Sequence, residues 1–179
     1  AVKGGAIDPE QAADWGAGIA RGLAHAHAKG LVHRDVKSSN VFLVEDEEGR
    51  EHPKLLDFGL VKSVKRELDI TQTPTYLGTP LYMSPEQARG EIGIDGRSDV
   101  YSLGCLLFRM LSGEMPFLAD SPMATALLHI SEPVPRMAKV AADVQVDPAL
   151  EAIVRRCLQK DPADRYQEAT ELARALDDW

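Results

Sequence analysis

From Asp8 to Lys29 the apolar residues Ala12, Trp15, Ile19, Leu23 and Ala26 recur three and four apart, which paints one face of a helix. Its ends are marked: Asp8 can accept a hydrogen bond from a free N–H, Pro9 fits the first helical position, Gln11 would complete a capping box, and Gly30 suits a left-handed stop. The same start recurs at Ser121-Pro122, followed by Ala126, Leu127 and Ile130, and at Asp147-Pro148, followed by Leu150, Ile153, Val154 and Cys157. A further helix, from about Ser98 to Leu111, is apolar on nearly every side and belongs in the core. The last, from about Tyr166 to Asp178, has Ala169, Leu172, Ala173 and Leu176 on one side and carboxylates on the other. Two β-like runs, Val41 to Val44 and Lys54 to Leu56, flank the charged turn EDEEGREH and predict a hairpin. The stretch from Lys62 to Pro80 has no sustained periodicity; a loop that long in a compact domain usually carries function. The pattern predicts an α+β fold that is mainly α.

Composition narrows the class. With 179 residues, 44% hydrophobic and 27% charged, the chain is long enough for one globular domain with a buried core. Its 28 acidic against 20 basic residues give a net charge of -8, which repels polyanions and argues against a nucleic-acid partner. Cys105 and Cys157 lie far apart, each in an apolar helical pattern, and read as buried free thiols. No apolar run is long enough to span a bilayer and the start has no signal-peptide pattern, so the segment reads as cytoplasmic, without membrane contact of its own.

The chemistry-bearing residues are concentrated in two motifs, HRDVKSSN from His33 to Asn40, and DFG from Asp57 to Gly59. In this order and spacing they resemble the protein kinases. The resemblance extends over all 179 residues and implies a kinase-like C-terminal lobe, a helical bundle with a short hairpin carrying the catalytic loop (33–40) and an activation segment (57–86). Phosphoryl transfer needs a carboxylate to orient and deprotonate the attacking hydroxyl, a cation beside the moving phosphate, and oxygen ligands for Mg²⁺. By the resemblance Asp35 is the base, Lys37 stabilises the γ-phosphate of ATP, and Asn40 and Asp57 hold Mg²⁺, with Mn²⁺ as the alternative ion. His33 is implied to be a packing and hydrogen-bonding residue. A lysine two residues past the base is the pattern of serine/threonine kinases. Ser38 stands where the family often has Pro, and is expected to loosen the turn modestly.

The segment from Asp57 to Glu86 ends in GTPLYMSPEQARG, where the family has a substrate-positioning threonine, here Thr79. Arg34 before Asp35 marks kinases whose activation segment is ordered by phosphorylation, because guanidinium and phosphate pair in bidentate fashion. TQTPTYLGTP resembles the activation loop of bacterial transmembrane serine/threonine kinases, which implies autophosphorylation at Thr71 and Thr73, with Thr75 and Ser63 as weaker candidates. SDVYSLGCLLFRMLSGEMPF is similar to the family's central helix, in which Asp99 anchors the catalytic loop. DPADR places Arg165 where the family has an arginine paired with the glutamate closing the activation segment, here Glu86.

The implied partners are ATP and protein substrates, with a homodimer for trans-autophosphorylation. The parent protein is expected to be cytoplasmic or anchored through a segment outside these residues. The family's Gly-rich loop, strand lysine and helix glutamate are not among the 179 residues. The N-terminal lobe is thus expected to be absent, leaving the chain alone a poor ATP binder. Two other readings stay open: a pseudokinase or scaffold that keeps the fold for binding, and a small-molecule kinase, against which the peptide-positioning segment argues.

Overall fold

The computed structural model describes residues 5–57, 80–142 and 144–179. Seven α-helices and one hairpin are formed by the described residues. Helix α1 (Pro9–His27) starts at Asp8, whose carboxylate accepts from the N–H groups of Glu10 and Gln11, and the chain turns away at Gly30 with φ 73°. The expected capping box does not close, because the Gln11 amide reaches across to Glu51 Oε2 at 3.5 Å instead.

Strands β1 (Val41–Glu45) and β2 (Glu51–Leu55) pair antiparallel with Val41 opposite Leu55 and Leu43 opposite Pro53. β2 therefore begins three residues before the expected Lys54. The charged turn tightens to Asp46–Arg50, where Asp46 Oδ1 accepts from the N–H groups of Glu48 and Arg50 and Gly49 takes φ 76°. Pro53 is tolerated because a two-stranded sheet has only edge strands. It packs on α1 at Gly18, where a Cβ would lie 2.7 Å from the Pro53 ring, so glycine sets the approach of hairpin to helix.

The remaining helices are α2 (Pro85–Ala88), α3 (Gly96–Ser112), α4 (Pro122–Ser131), α5 (Met137–Val140), α6 (Pro148–Cys157) and α7 (Ala169–Asp177). The central helix is α3, apolar around most of its girth, with Leu103, Leu107 and Phe108 fully buried. α1, α6 and α7 pack around it and contribute Leu23, Val154 and Leu172 to one continuous core. Cys105 and Cys157 are buried free thiols in that core, and burial pushes the Cys157 thiol up to about 12. α7 starts at Ala169 rather than Tyr166, because a 3₁₀ turn at Pro162–Asp164 ends in an extended Arg165. None of the helices among the described residues is long and apolar enough to cross a membrane.

Candidate active site

The site is organised by one carboxylate from below. Asp99, on the first turn of α3 and fully buried, accepts from the His33 and Arg34 N–H groups, each at 2.8 Å, and from His27 Nε2 at 2.7 Å. A buried carboxylate left unpaired would be costly, so three donors are needed. Two consecutive N–H groups converge on this carboxylate, and Arg34 leaves the pair with a left-handed φ of 62°. A left-handed backbone costs a non-glycine residue roughly 1–2 kcal/mol, and Asp99 offsets that strain. The Arg34 carbonyl is held too, accepting from Gln87 Nε2 of α2 at 3.0 Å, while the Arg34 residue stays exposed.

His33 is buried and works as a strut. Its Nδ1 accepts from the Asp35 N–H at 3.2 Å, so Nε2 carries the proton and donates to the Leu56 carbonyl at 3.0 Å. The ring thus spans the 33–40 loop and the end of β2. Asp35 lies above it, partly exposed. Its Oδ2 accepts from Lys37 Nζ at 2.8 Å and from Asn40 Nδ2 at 3.2 Å; the same amide donates to the Asp35 carbonyl at 2.8 Å. Those donations orient the Asn40 amide and leave Oδ1 as its ligand atom.

The hairpin brings in the second motif. Leu56 N–H donates to the Asn40 carbonyl at 2.9 Å, extending the ladder one step past Val41 and Leu55. Asp57, the next residue, therefore stands beside the end of the 33–40 loop, exposed and at φ 59°. Arg34 and Asp57 are the non-glycine residues with left-handed φ among the described residues, and both flank the proposed chemistry. Phe58, Gly59, Thr71, Thr73 and Thr79, with Ser63 and Thr75, lie outside the described residues.

The start of α2 is held by an ion pair. Arg165 is 1% exposed and uses all five of its N–H groups. Nη1 and Nη2 each meet a Glu86 carboxylate oxygen at 2.8 Å, while Gln159, Arg97 and Lys160 carbonyls take the other three. The guanidinium also lies 4.9 Å over the Tyr101 ring. Burial pushes the Glu86 carboxyl up, but hydrogen bonds from Arg165 and Ser98 and the Arg165 charge outweigh it and bring it down to about 2. Ser84 begins α2 with a reciprocal capping box to Gln87. The signature S-x-x-Q at residues 84–87 is the local sequence signal for this start. His27 and Gln87 join the site without a local sequence signal, because their partners lie 72 and 53 residues away.

Phe42, Val44 and Leu56 of the hairpin remain 52%, 47% and 44% exposed, an apolar rim next to the polar cluster. Trp15, Ile19, Val41, Phe42, Leu106 and Met110 line an adjoining groove of about 710 Å³.

The helical lobe, the hairpin and the loop between them define a protein kinase domain: residues 1–175 match that family, and the chain belongs to it. Among its relatives, the serine/threonine-protein kinase PknB of Mycobacterium leprae is 40% identical over 169 residues, covering 94% of this chain and 26% of that protein. PknB of Mycolicibacterium smegmatis is 42% identical over 170 residues, with the same coverages. The chain spans about a quarter of the length of these curated relatives. Among solved structures, Rad53 1-466 in complex with AMP-PNP superposes with a TM-score of 0.74 over 94% of this chain and 40% of that one; at 24% identity the likeness concerns the fold.

Proposed function

We propose that this kinase domain transfers the γ-phosphoryl group of ATP to serine or threonine hydroxyls of proteins, including its own activation segment. The observation that carries the reading is the Asp35 carboxylate, held 2.8 Å from Lys37 Nζ and 3.2 Å from Asn40 Nδ2, with Asp57 brought alongside by the hairpin. Asp35 accepts the proton of the attacking hydroxyl, and Lys37 meets charge on the phosphate while keeping the carboxylate aimed. Asn40 Oδ1 and the Asp57 carboxylate are hard oxygen donors that suit Mg²⁺ or Mn²⁺. When bound, the ion neutralises phosphate charge. Family membership and the naming of the PknB relatives as serine/threonine kinases support the substrate class.

Regulation follows from Arg34. Its backbone is tied down at both N–H and carbonyl while the residue is exposed, so phosphate on Thr71 or Thr73 would find a fixed bidentate partner. Transfer between two copies would supply that phosphate. Thr79 positions the substrate hydroxyl. The 179 residues alone turn over little, since they hold no Gly-rich phosphate loop or paired upstream lysine.

The test incubates the full-length parent with labelled Mg-ATP and a basic protein substrate. Label on serine and threonine of the substrate, and on Thr71 and Thr73 by mass spectrometry, is expected, with less activity in the Thr71→Ala/Thr73→Ala variant. A parent that transfers nothing would replace the enzyme reading with that of a pseudokinase scaffold.

A further inference from the structure

The loop that carries Asp35 and Lys37 has a second anchor, built at the position where stiffness was expected to be lost. Ser38 opens the 3₁₀ turn Ser38–Asn40, directly between Lys37 and Asn40. Its Oγ lies 3.3 Å from Tyr82 Oη, and Tyr82 Oη lies 3.2 Å from Arg109 Nη1 on α3. Guanidinium can only donate, so the phenol oxygen accepts from Arg109 and its own hydrogen is available to Ser38. A chain of this kind, with a cation at its head, polarises each following bond. Tyr82 is itself well fixed: it is 7% exposed, and its carbonyl accepts from Ser102 Oγ of α3 at 2.7 Å.

The two anchors hold different parts of the loop. Asp99 grips the backbone at His33 and Arg34, ahead of Asp35, whereas the relay grips Ser38, just past Lys37. Tyr82 ends the 3₁₀ turn Pro80–Tyr82, which directly follows Thr79 in the chain. The relay therefore joins the loop that bears the proposed base to the segment proposed to seat the substrate. A proline at residue 38 would stiffen the turn but has no hydroxyl to meet Tyr82.

We propose that Ser38 and Tyr82 are positioning residues that, with Arg109, hold the peptide-seating segment beginning at Pro80 against the catalytic loop, and thereby set affinity for the protein substrate. The proposal rests on the kinase reading above. In the full-length parent, Ser38→Ala and Tyr82→Phe are each expected to raise the KM for a peptide substrate about threefold to tenfold, the worth of one net hydrogen bond, with kcat and the KM for ATP nearly unchanged. The double variant should be no worse than the worse single, because both break one chain. Ser38→Thr should restore the peptide KM and Ser38→Pro should not.

An unchanged peptide KM in Ser38→Ala, additive losses in the double variant, or full rescue by Ser38→Pro would overturn the relay. A second measurement needs no turnover: amide hydrogen exchange at Ser38 to Asn40 and at Leu81 to Met83 in the parent. Faster exchange in Ser38→Ala that returns to the parental rate in Ser38→Thr supports the relay, and unchanged exchange overturns it. A parent without transferase activity but with this exchange pattern would refute the kinase reading and leave the relay standing.

Discussion

The buried frame around Arg165 and the exposed rim around Asp35 and Asp57 use the same kinds of group for opposite ends. Arg165 is dry and every N–H has an acceptor, so the guanidinium has one stable position. Asp35 is partly open, Asp57 and Arg34 are exposed, and the latter two hold left-handed backbone. The comparison teaches where rigidity has to lie. Chemistry on a substrate requires open, strained residues, and these keep their geometry only if a satisfied layer beneath over-determines it. Asp99 and Gln87 are the joints between the two layers, one at the N–H and one at the carbonyl of Arg34.

The comparison breaks most sharply at the rim. Asp35→Asn in the full-length parent should lower the phosphoryl-transfer rate by about 10²–10⁴-fold while the melting temperature barely moves. A comparable loss of stability would show that the rim is also part of the frame. Breaking the frame should do the reverse. Arg165→Ala leaves Glu86 charged and buried, and should cost roughly 3–5 kcal/mol in denaturant unfolding; a change under about 1 kcal/mol, the worth of an exposed pair, would mean that water reaches Glu86.

The frame also has a pH dependence with a definite sign. Burial and then the Lys160 charge hold His129 down from its ordinary 6.5 to about 3. Its Nδ1 meets Tyr101 Oη at 2.9 Å, and Lys160 Nζ donates to the His129 carbonyl at 2.8 Å. Between those two values the unfolded chain binds a proton that the folded one refuses, so stability falls as pH drops from 6.5 toward 3. His129→Gln should flatten the stability profile in that window by about one proton, on the order of a few kcal/mol over the full range. A profile as steep as the parent's would assign the acid sensitivity to the carboxylates.

The smallest effect is expected at the joint. Gln87→Ala removes the bond to the Arg34 carbonyl and half of the α2 capping box, and should cost about 1 kcal/mol of stability. It should also reduce activity more than that figure suggests, because Arg34 loses one of two backbone anchors. Activity tracking stability alone would show Asp99 to be sufficient.

Much of this was legible in the chain. The starts at Asp8-Pro9, Ser121-Pro122 and Asp147-Pro148 are local signals, and helices begin there. The apolar girth of α3 marks its central place in the core. Short elements escaped: α2 and α5 span four residues each, too few to show a period. Gln11 had the identity for a capping box, but Glu51 lies within its reach once the hairpin folds over α1.

By itself the sequence determined the fold class and the helix starts at Pro9, Pro122 and Pro148, and it supplied the motif residues proposed for the chemistry, because periodicity, capping and motif spacing act over a few residues. Only the tertiary structure decided the partners: His27 on Asp99, Gln87 on the Arg34 carbonyl, Ser38 on Tyr82. Such pairs join residues 44 to 72 positions apart. Hydrogen bonds at that separation depend on how the elements pack, and packing is a property of the whole core rather than of any local run of residues.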